Sequence, residues 1–182
     1  MGFMTQLAAR VGPRDTLRDV ELPRPIGVRA YDPGDADLLR AMSARLSRQS
    51  LYTRFFAGTP RLPSLYVRTL NQVDHWDREA LLAVVAGEII GIAEYVRDTS
   101  DPARADLAVL VVDAWQRRGV ARLLVGELTR LADQRNITEF NADVLTVNTA
   151  ALAAIRRVWP GSVPARGSGG TATYLLPARL DL

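Results

Sequence analysis

Six residues, Gln116-Arg117-Arg118-Gly119-Val120-Ala121, carry the clearest chemical signal in this chain of 182 residues. They follow the apolar run LAVLVVD and open the helical pattern VARLLVGELTRLADQ, yet no Ser, Thr, Asp or Asn stands there as a cap. A strand that feeds a helix through a tight loop aims successive backbone N–H groups at one point. The helix dipole adds positive potential at the same point, and the two together make an anion site. Gly119 stands where a side chain would obstruct a phosphate, and small Ala121 lies two residues on. Arg117 and Arg118 bring positive charge suited to a diphosphate. A ligand oxygen would then replace the missing capping side chain.

The elements around the loop alternate. Residues 1–27 are rich in Pro and charge and read as an N-terminal extension or arm. VRAY is a short strand, and DPGDADLLRAMSARLS turns into a helix with Leu38, Leu39, Met42 and Leu46 at helical spacing. SRQSLYTRFF and LPSLYVRTLNQVD suggest two more short helices, separated by GTPRLP. EALLAVVAGEIIGIAEYVRD reads as a hairpin closed at Gly87-Glu88, and ARADLAVLVVD as a strand covered on both faces. The helix from Val120 to Gln134 shows an apolar face of Val120, Leu123, Leu124, Leu128 and Leu131, broken by Glu127. ITEFNADVLTV is the next strand, NTAALAAIRRVW the next helix, and SVPARGSGGTATYLLP a closing hairpin. The glycines from Gly167 to Gly170 lack the Gly-Lys-Ser/Thr ending of a phosphate-binding P-loop. The order is that of a mixed α/β domain.

Composition removes several classes of function. With 48% apolar residues the chain can bury one good core, and no apolar run approaches the roughly 18 residues of a membrane span. No apolar core precedes a cleavage site near the N-terminus, so a soluble, cytoplasmic protein is expected. There is no cysteine and a single histidine, His75, which excludes a disulfide scaffold and argues against a metal centre. All 23 basic residues are arginine, scattered among acids to a net charge of +3, so no dense basic arm advertises nucleic-acid binding.

In this setting QRRGVA resembles the Gln/Arg-x-x-Gly-x-Gly/Ala pyrophosphate loop of the GNAT superfamily of N-acetyltransferases. The preceding hairpin, the following strand and TVNTAALAAIRRVW, similar to the family's Asn-bearing segment beneath the pantetheine arm, extend the resemblance over roughly residues 28–177. LSRQSLYTRFF is similar to the LS-x-x-S-x-Y-x-RFF segment of bacterial protein acetyltransferases that modify acyl-CoA synthetases, and of related modules fused to ligase-like or cyclic-nucleotide-binding domains. The resemblance implies one GNAT domain over residues 28–182. Its fold would be α/β, a central mixed, mostly antiparallel sheet of six to seven strands flanked by about four helices. Acetyl-CoA would be the cosubstrate, with no metal, no nucleic acid and no membrane involved, in a monomer or homodimer.

The resemblance also implies roles. Backbone amides of Arg117, Arg118, Gly119, Val120, Ala121 and Arg122 would surround the pyrophosphate. Val111 and Val112 would pair the pantetheine amides like an added strand, with Asn148 as a polar contact opposite. Asn148 is equally well placed to cap the following helix, and the two roles are compatible. Two residues depart from the family pattern. Ala121 replaces the commoner second glycine, and Ile155 stands where many members have the tyrosine that protonates the leaving thiolate. That proton would come instead from water, the substrate ammonium or another group.

An acceptor amine must be neutral to attack, while a lysine-type ammonium has a pKa of about 10.4. Asp106, ten positions before Gln116 where related enzymes often carry glutamate, is the first candidate base, working through water because its side chain is short. Glu94 is the second and Asp143 the third; each could equally be a surface or paired carboxylate. His75 is expected in a loop, and Trp115 as a lid or packing residue. Tyr52, Arg54 and Phe55 could line the acceptor groove, or Leu51, Phe55 and Phe56 could pack on the sheet. The favoured reading is transfer to a protein lysine, with an acyl-CoA synthetase among the acceptors. A small-molecule amine acetyltransferase and a non-catalytic acyl-CoA sensor are the alternatives.

Overall fold

The computed structural model describes residues 25–179, so most of the N-terminal arm read from the sequence lies outside the described residues. The sheet is built around one long hairpin, strand β2 (Arg78–Val85) and strand β3 (Glu88–Arg97). Its turn is Ala86-Gly87, one residue earlier than expected, with both at positive φ (52° and 82°), the geometry that matches the right-handed twist of paired strands. Strand β1 (Gly27–Ala30) joins the free edge of β2, and strand β4 (Arg104–Val111) that of β3. Strand β5 (Glu139–Leu145) lies parallel to β4, and strand β7 (Thr171–Pro177) separates β5 from the short strand β6 (Arg166–Ser168). The order β1-β2-β3-β4-β5-β7-β6 makes a seven-stranded sheet, antiparallel at every junction except β4/β5.

Five α-helices cover this sheet among the described residues, one for each helical segment read from the sequence. Helices α1 (Ala36–Ser43), α2 (Arg48–Phe55) and α3 (Ser64–Leu70) pack on one face, where Leu39, Met42, Leu51, Val67 and Leu70 meet Leu82, Ile92 and Leu110. On the other face lie α4 (Val120–Gln134) and α5 (Thr149–Val158), whose Leu124, Val125, Leu128 and Ile155 join Ala93, Tyr95, Phe140 and Tyr174. The buried stripe of α4 is Val120, Leu124, Val125, Leu128 and Ala132, while Leu123 stays 43% exposed. The sequence stripe is therefore rotated toward Val125 and Ala132. Gly91 in β3 allows α4 to settle this close: a Cβ there would lie 3.2 Å from both Val120 Cγ1 and Leu124 Cδ1.

The feature that positions the site is where the sheet stops pairing. The β4/β5 ladder covers only Arg104–Asp106 against Glu139–Asn141, after which the two strands run on without pairing to each other, β4 held by β3 to Val111 and β5 by β7 to Leu145. Leu107, Ala108 and Val109 are only half-buried as a result, which corrects the expectation that β4 is covered on both faces.

Candidate active site

Backbone groups set the first half of the site. Val112 N–H donates to Ile90 O and Asp98 N–H to Arg104 O, so the even-numbered residues of β4 spend their backbone groups on β3. The odd-numbered residues, Leu107, Val109 and Val111, face the other way, toward the open seam. Val112 is thus excluded as an amide partner for anything lying in the seam, its N–H being used inside the sheet. Val109, which the sequence reading missed, takes that place beside Val111. Part of Val111 is also engaged, since its carbonyl accepts from Gln116 Nε2 at 3.1 Å.

The loop after β4 makes a short 3₁₀ turn, Asp113–Trp115, then passes through Arg117 at φ 60° and Gly119 at φ 87° into α4. No side chain caps α4, and its first backbone bond runs from Leu123 N–H to Gly119 O. The N–H groups of Val120, Ala121 and Arg122 therefore lie ahead of the helical ladder without intrahelical acceptors. A Cβ on Gly119 would meet no protein atom within 4 Å. Inside the protein the glycine is required by its left-handed backbone, and the space beside it is open. Arg117, Arg118 and Arg122 are exposed around this opening, with the Arg118 guanidinium 5.5 Å from the centre of the half-buried Trp115 ring.

Asn148 caps α5, its Oδ1 accepting from Ala151 N–H at 3.1 Å, which leaves the side-chain NH₂ for another partner. Seam, loop and both helices border one cavity of about 850 Å³ that reaches across to α2 and α3. Buried Ile155 lies on its wall.

All three candidate acids border this cavity and share the sheet face that carries α1–α3. Glu94 pairs across β3/β4 with Ala108, Asp106 pairs across β4/β5 with Asn141, and Asp143 lies two residues further along β5. Their circumstances differ. Glu94 is ion-paired with Arg54, and both side chains are mostly buried. Asp143 accepts from Thr173 Oγ1 at 2.6 Å. Asp106 is exposed and receives a single long hydrogen bond, 3.3 Å from Asn141 Nδ2, which leaves it the freest of the three.

Arg54 also stacks its guanidinium near the rings of Phe55 and Tyr66, 5.1 and 5.3 Å from their centres. Phe55 and Tyr66 meet edge to face, so Phe55 packs, while Arg54 turns to the cavity. Tyr66 was not singled out from the sequence. Its hydroxyl is buried without a hydrogen-bond partner, and burial, then the Glu94 charge, push the phenol well above its ordinary value. It therefore stays a neutral phenol beside Glu94. His75 does not border the cavity; it sits at φ 57° between α3 and β2, its Nδ1 2.8 Å from Glu79 Oε1. Among the described residues no cluster of three or more His, Cys, Asp or Glu side chains could hold a metal, and no helix is long and apolar enough to cross a membrane.

A split sheet, an uncapped helix start at its mouth and carboxylates across the opening thus meet in one candidate site. Residues 47–158, more than half the chain, match the acetyltransferase (GNAT) family, to which this chain belongs. It is 30% identical over 147 residues to the acetyltransferase Pat of Mycolicibacterium smegmatis, spanning 75% of this chain and 44% of that protein. The chain thus spans less than half the length of this curated relative. The GNAT domain of S. lividans PAT superposes with a TM-score of 0.78 at 31% identity, over 84% of this chain and 90% of that one. A fold likeness with a TM-score of 0.66 and 15% identity, over 85% of this chain and 94% of the other, links it to yncA of Salmonella typhimurium, solved with its cofactor acetyl-CoA.

Proposed function

We propose that this chain moves the acetyl group of acetyl-CoA to a primary amine by direct attack, with a protein lysine as acceptor. The observation that carries the reading is the meeting of an uncapped α4 N-terminus with the unpaired β4/β5 seam in one cavity faced by carboxylates. The open loop fits a diphosphate: the first-turn amides of α4 and those of Arg117, Arg118 and Gly119 would hold it, with the arginine side chains adding charge. The backbone of Val109 and Val111 would take the pantetheine amides as a neighbouring strand would, and the Asn148 NH₂ would face them. When bound, the cosubstrate supplies an activated thioester.

The chain's own task is proton management. Asp106, exposed at the seam, takes the ammonium proton through a water and leaves the amine neutral for attack. Glu94 is the weaker candidate because Arg54 already occupies it. It serves the reading better as a fixed wall of the acceptor half-site, together with Tyr66. Ile155 has no proton to give, so the departing sulfur is protonated from solvent or from the proton taken off the amine.

The protein acceptor is favoured by the similarity of LSRQSLYTRFF to the corresponding segment of bacterial protein acetyltransferases, alongside the likeness of the chain to the acetyltransferase Pat and to the GNAT domain of S. lividans PAT. One observation favours a second reading, a non-catalytic acyl-CoA sensor: the cavity wall at residue 155 is apolar. Incubation with acetyl-CoA and a lysine-bearing acyl-CoA synthetase, followed by intact-mass measurement, tests the proposal. One added acetyl group on the acceptor supports it. No modification there, with acetylation of free polyamines or aminoglycosides instead, would replace the protein acceptor by a small amine.

A further inference from the structure

Helix α2 touches both halves of the site, through two residues one turn apart. Ser47 caps it, its Oγ accepting from Ser50 N–H at 3.1 Å. Ser50 Oγ donates to Asp113 Oδ1 at 2.8 Å and accepts from Gln116 Nε2 at 3.1 Å. Ser47 N–H reaches the same Asp113 oxygen at 3.2 Å. Gln116, the first residue of the loop, uses its NH₂ on Ser50 and on Val111 O, so its side chain holds the loop to α2 and to the end of β4. Burial alone would raise the Asp113 carboxyl, yet the hydrogen bonds from Ser47 and Ser50 outweigh it and hold the group below its ordinary value. Four residues after Ser50, Arg54 pairs with Glu94.

On this basis, and resting on the acyl-CoA reading above, we infer that Ser50 and Asp113 are positioning residues that set the diphosphate loop through Gln116. The Ser-x-x-Ser spacing at the start of α2 thereby acquires a function that neither packing nor the catalytic acids account for. Ser47 starts α2 as its N-cap and holds Asp113 through its backbone N–H. Ser50 spans 66 positions of sequence to Gln116, at a point where Arg117 must adopt a left-handed backbone. Without that tether the amides of the loop would lose their common aim. The contribution falls chiefly on the diphosphate end of the cosubstrate, Val111 O being the one point where Gln116 also meets the seam. The thioester end is governed by the seam and by the acids, which Ser50 does not touch.

The test measures binding by the full chain of two probes: acetyl-CoA, by calorimetry, and S-acetylpantetheine, which lacks the diphosphate, by competition. Ser50→Ala should weaken acetyl-CoA binding about tenfold, the scale of losing hydrogen bonds that leave polar partners unpaired. S-acetylpantetheine binding should change less than twofold, and Ser50→Thr, which keeps the hydroxyl, should restore acetyl-CoA affinity. Asp113→Asn on top of Ser50→Ala should add little, because the two act on one loop. Unchanged acetyl-CoA affinity in Ser50→Ala would overturn the inference, as would an equal loss for both probes or failure of threonine to restore binding. A wild-type chain that binds no acetyl-CoA would instead overturn the acyl-CoA reading on which the inference rests.

Discussion

Replacing Gly119 by alanine separates two demands on that position, one from the backbone and one from the ligand. The residue sits at φ 87°, where an L side chain costs about 1–2 kcal/mol. The new methyl meets no protein atom within 4 Å, so no clash adds to that cost. Stability should therefore fall by about 1–2 kcal/mol, which for a domain of this size is a melting shift of about 2–8 °C. The same methyl enters the open space beside the uncapped α4 N-terminus, where a diphosphate would sit against the first-turn amides. Acetyl-CoA binding should therefore fall by more than about tenfold at a temperature where the variant is fully folded. Calorimetric titration, paired with a thermal melt, reads both quantities. A variant that melts lower but binds acetyl-CoA like the wild type would refute the placement of the diphosphate at Gly119.

Three further perturbations probe other parts of the structure. Asp106→Asn should lower turnover by about 10²- to 10⁴-fold, the usual worth of a positioned base, with acetyl-CoA affinity unchanged; near-normal turnover across the alkaline range would remove Asp106 from that role. Arg135 and Glu79 form an ion pair whose side chains are 11% and 2% exposed, with Arg135 also donating to Tyr95 Oη. Arg135→Ala removes the guanidinium from Glu79 Oε2 but leaves Oε1 its contacts with His75 Nδ1 and Ala80 N–H, so it should cost about 1.5–3 kcal/mol in urea unfolding, and a loss below about 1 kcal/mol would show the pair to be dispensable. Hydrogen bonds from Arg29 hold the Asp35 carboxyl below its ordinary value of 3.8, outweighing burial. A group with a lowered folded-state pKa stabilises above the unfolded value and loses that contribution as pH falls through the lowered one. Stability should thus decline on acidification from about pH 5 downward, and Asp35→Asn should flatten that part of the curve; an unchanged acid limb would assign the decline to other carboxylates.

The uncapped start of α4 was readable from sequence because it lies in the backbone: a strand, two arginines, a glycine and a helix without a capping side chain suffice to specify it. The hairpin was readable too, but its turn was misplaced by one residue. Ala86 adopts φ 52° there, and alanine gives no sequence sign of a positive φ. The buried face of α4 rotated toward Val125 and Ala132 because Gly91 lets the helix sit low on β3, a choice made by packing and not by periodicity. Which amides of β4 are free depends on strand register, so Val112 could not be separated from Val109 by counting. The tether of Ser50 to Gln116 and the partnership of Glu94 with Arg54 link residues 66 and 40 positions apart, and no local pattern carries such contacts. Tyr66 was hidden for a related reason: in sequence it is one aromatic of a short amphipathic helix, and only the fold buries its hydroxyl unpaired beside an acid.

The most direct test of acetyl transfer is release of free CoA thiol from acetyl-CoA, followed against buffer, free amino acids, polyamines, aminoglycosides and a lysine-bearing acyl-CoA synthetase. The expected result is acceptor-dependent release that is greatest with the protein lysine and lost in Asp106→Asn. Tight acetyl-CoA binding with no release above buffer from any of these acceptors would contradict transfer and leave a sensor of acyl-CoA in its place.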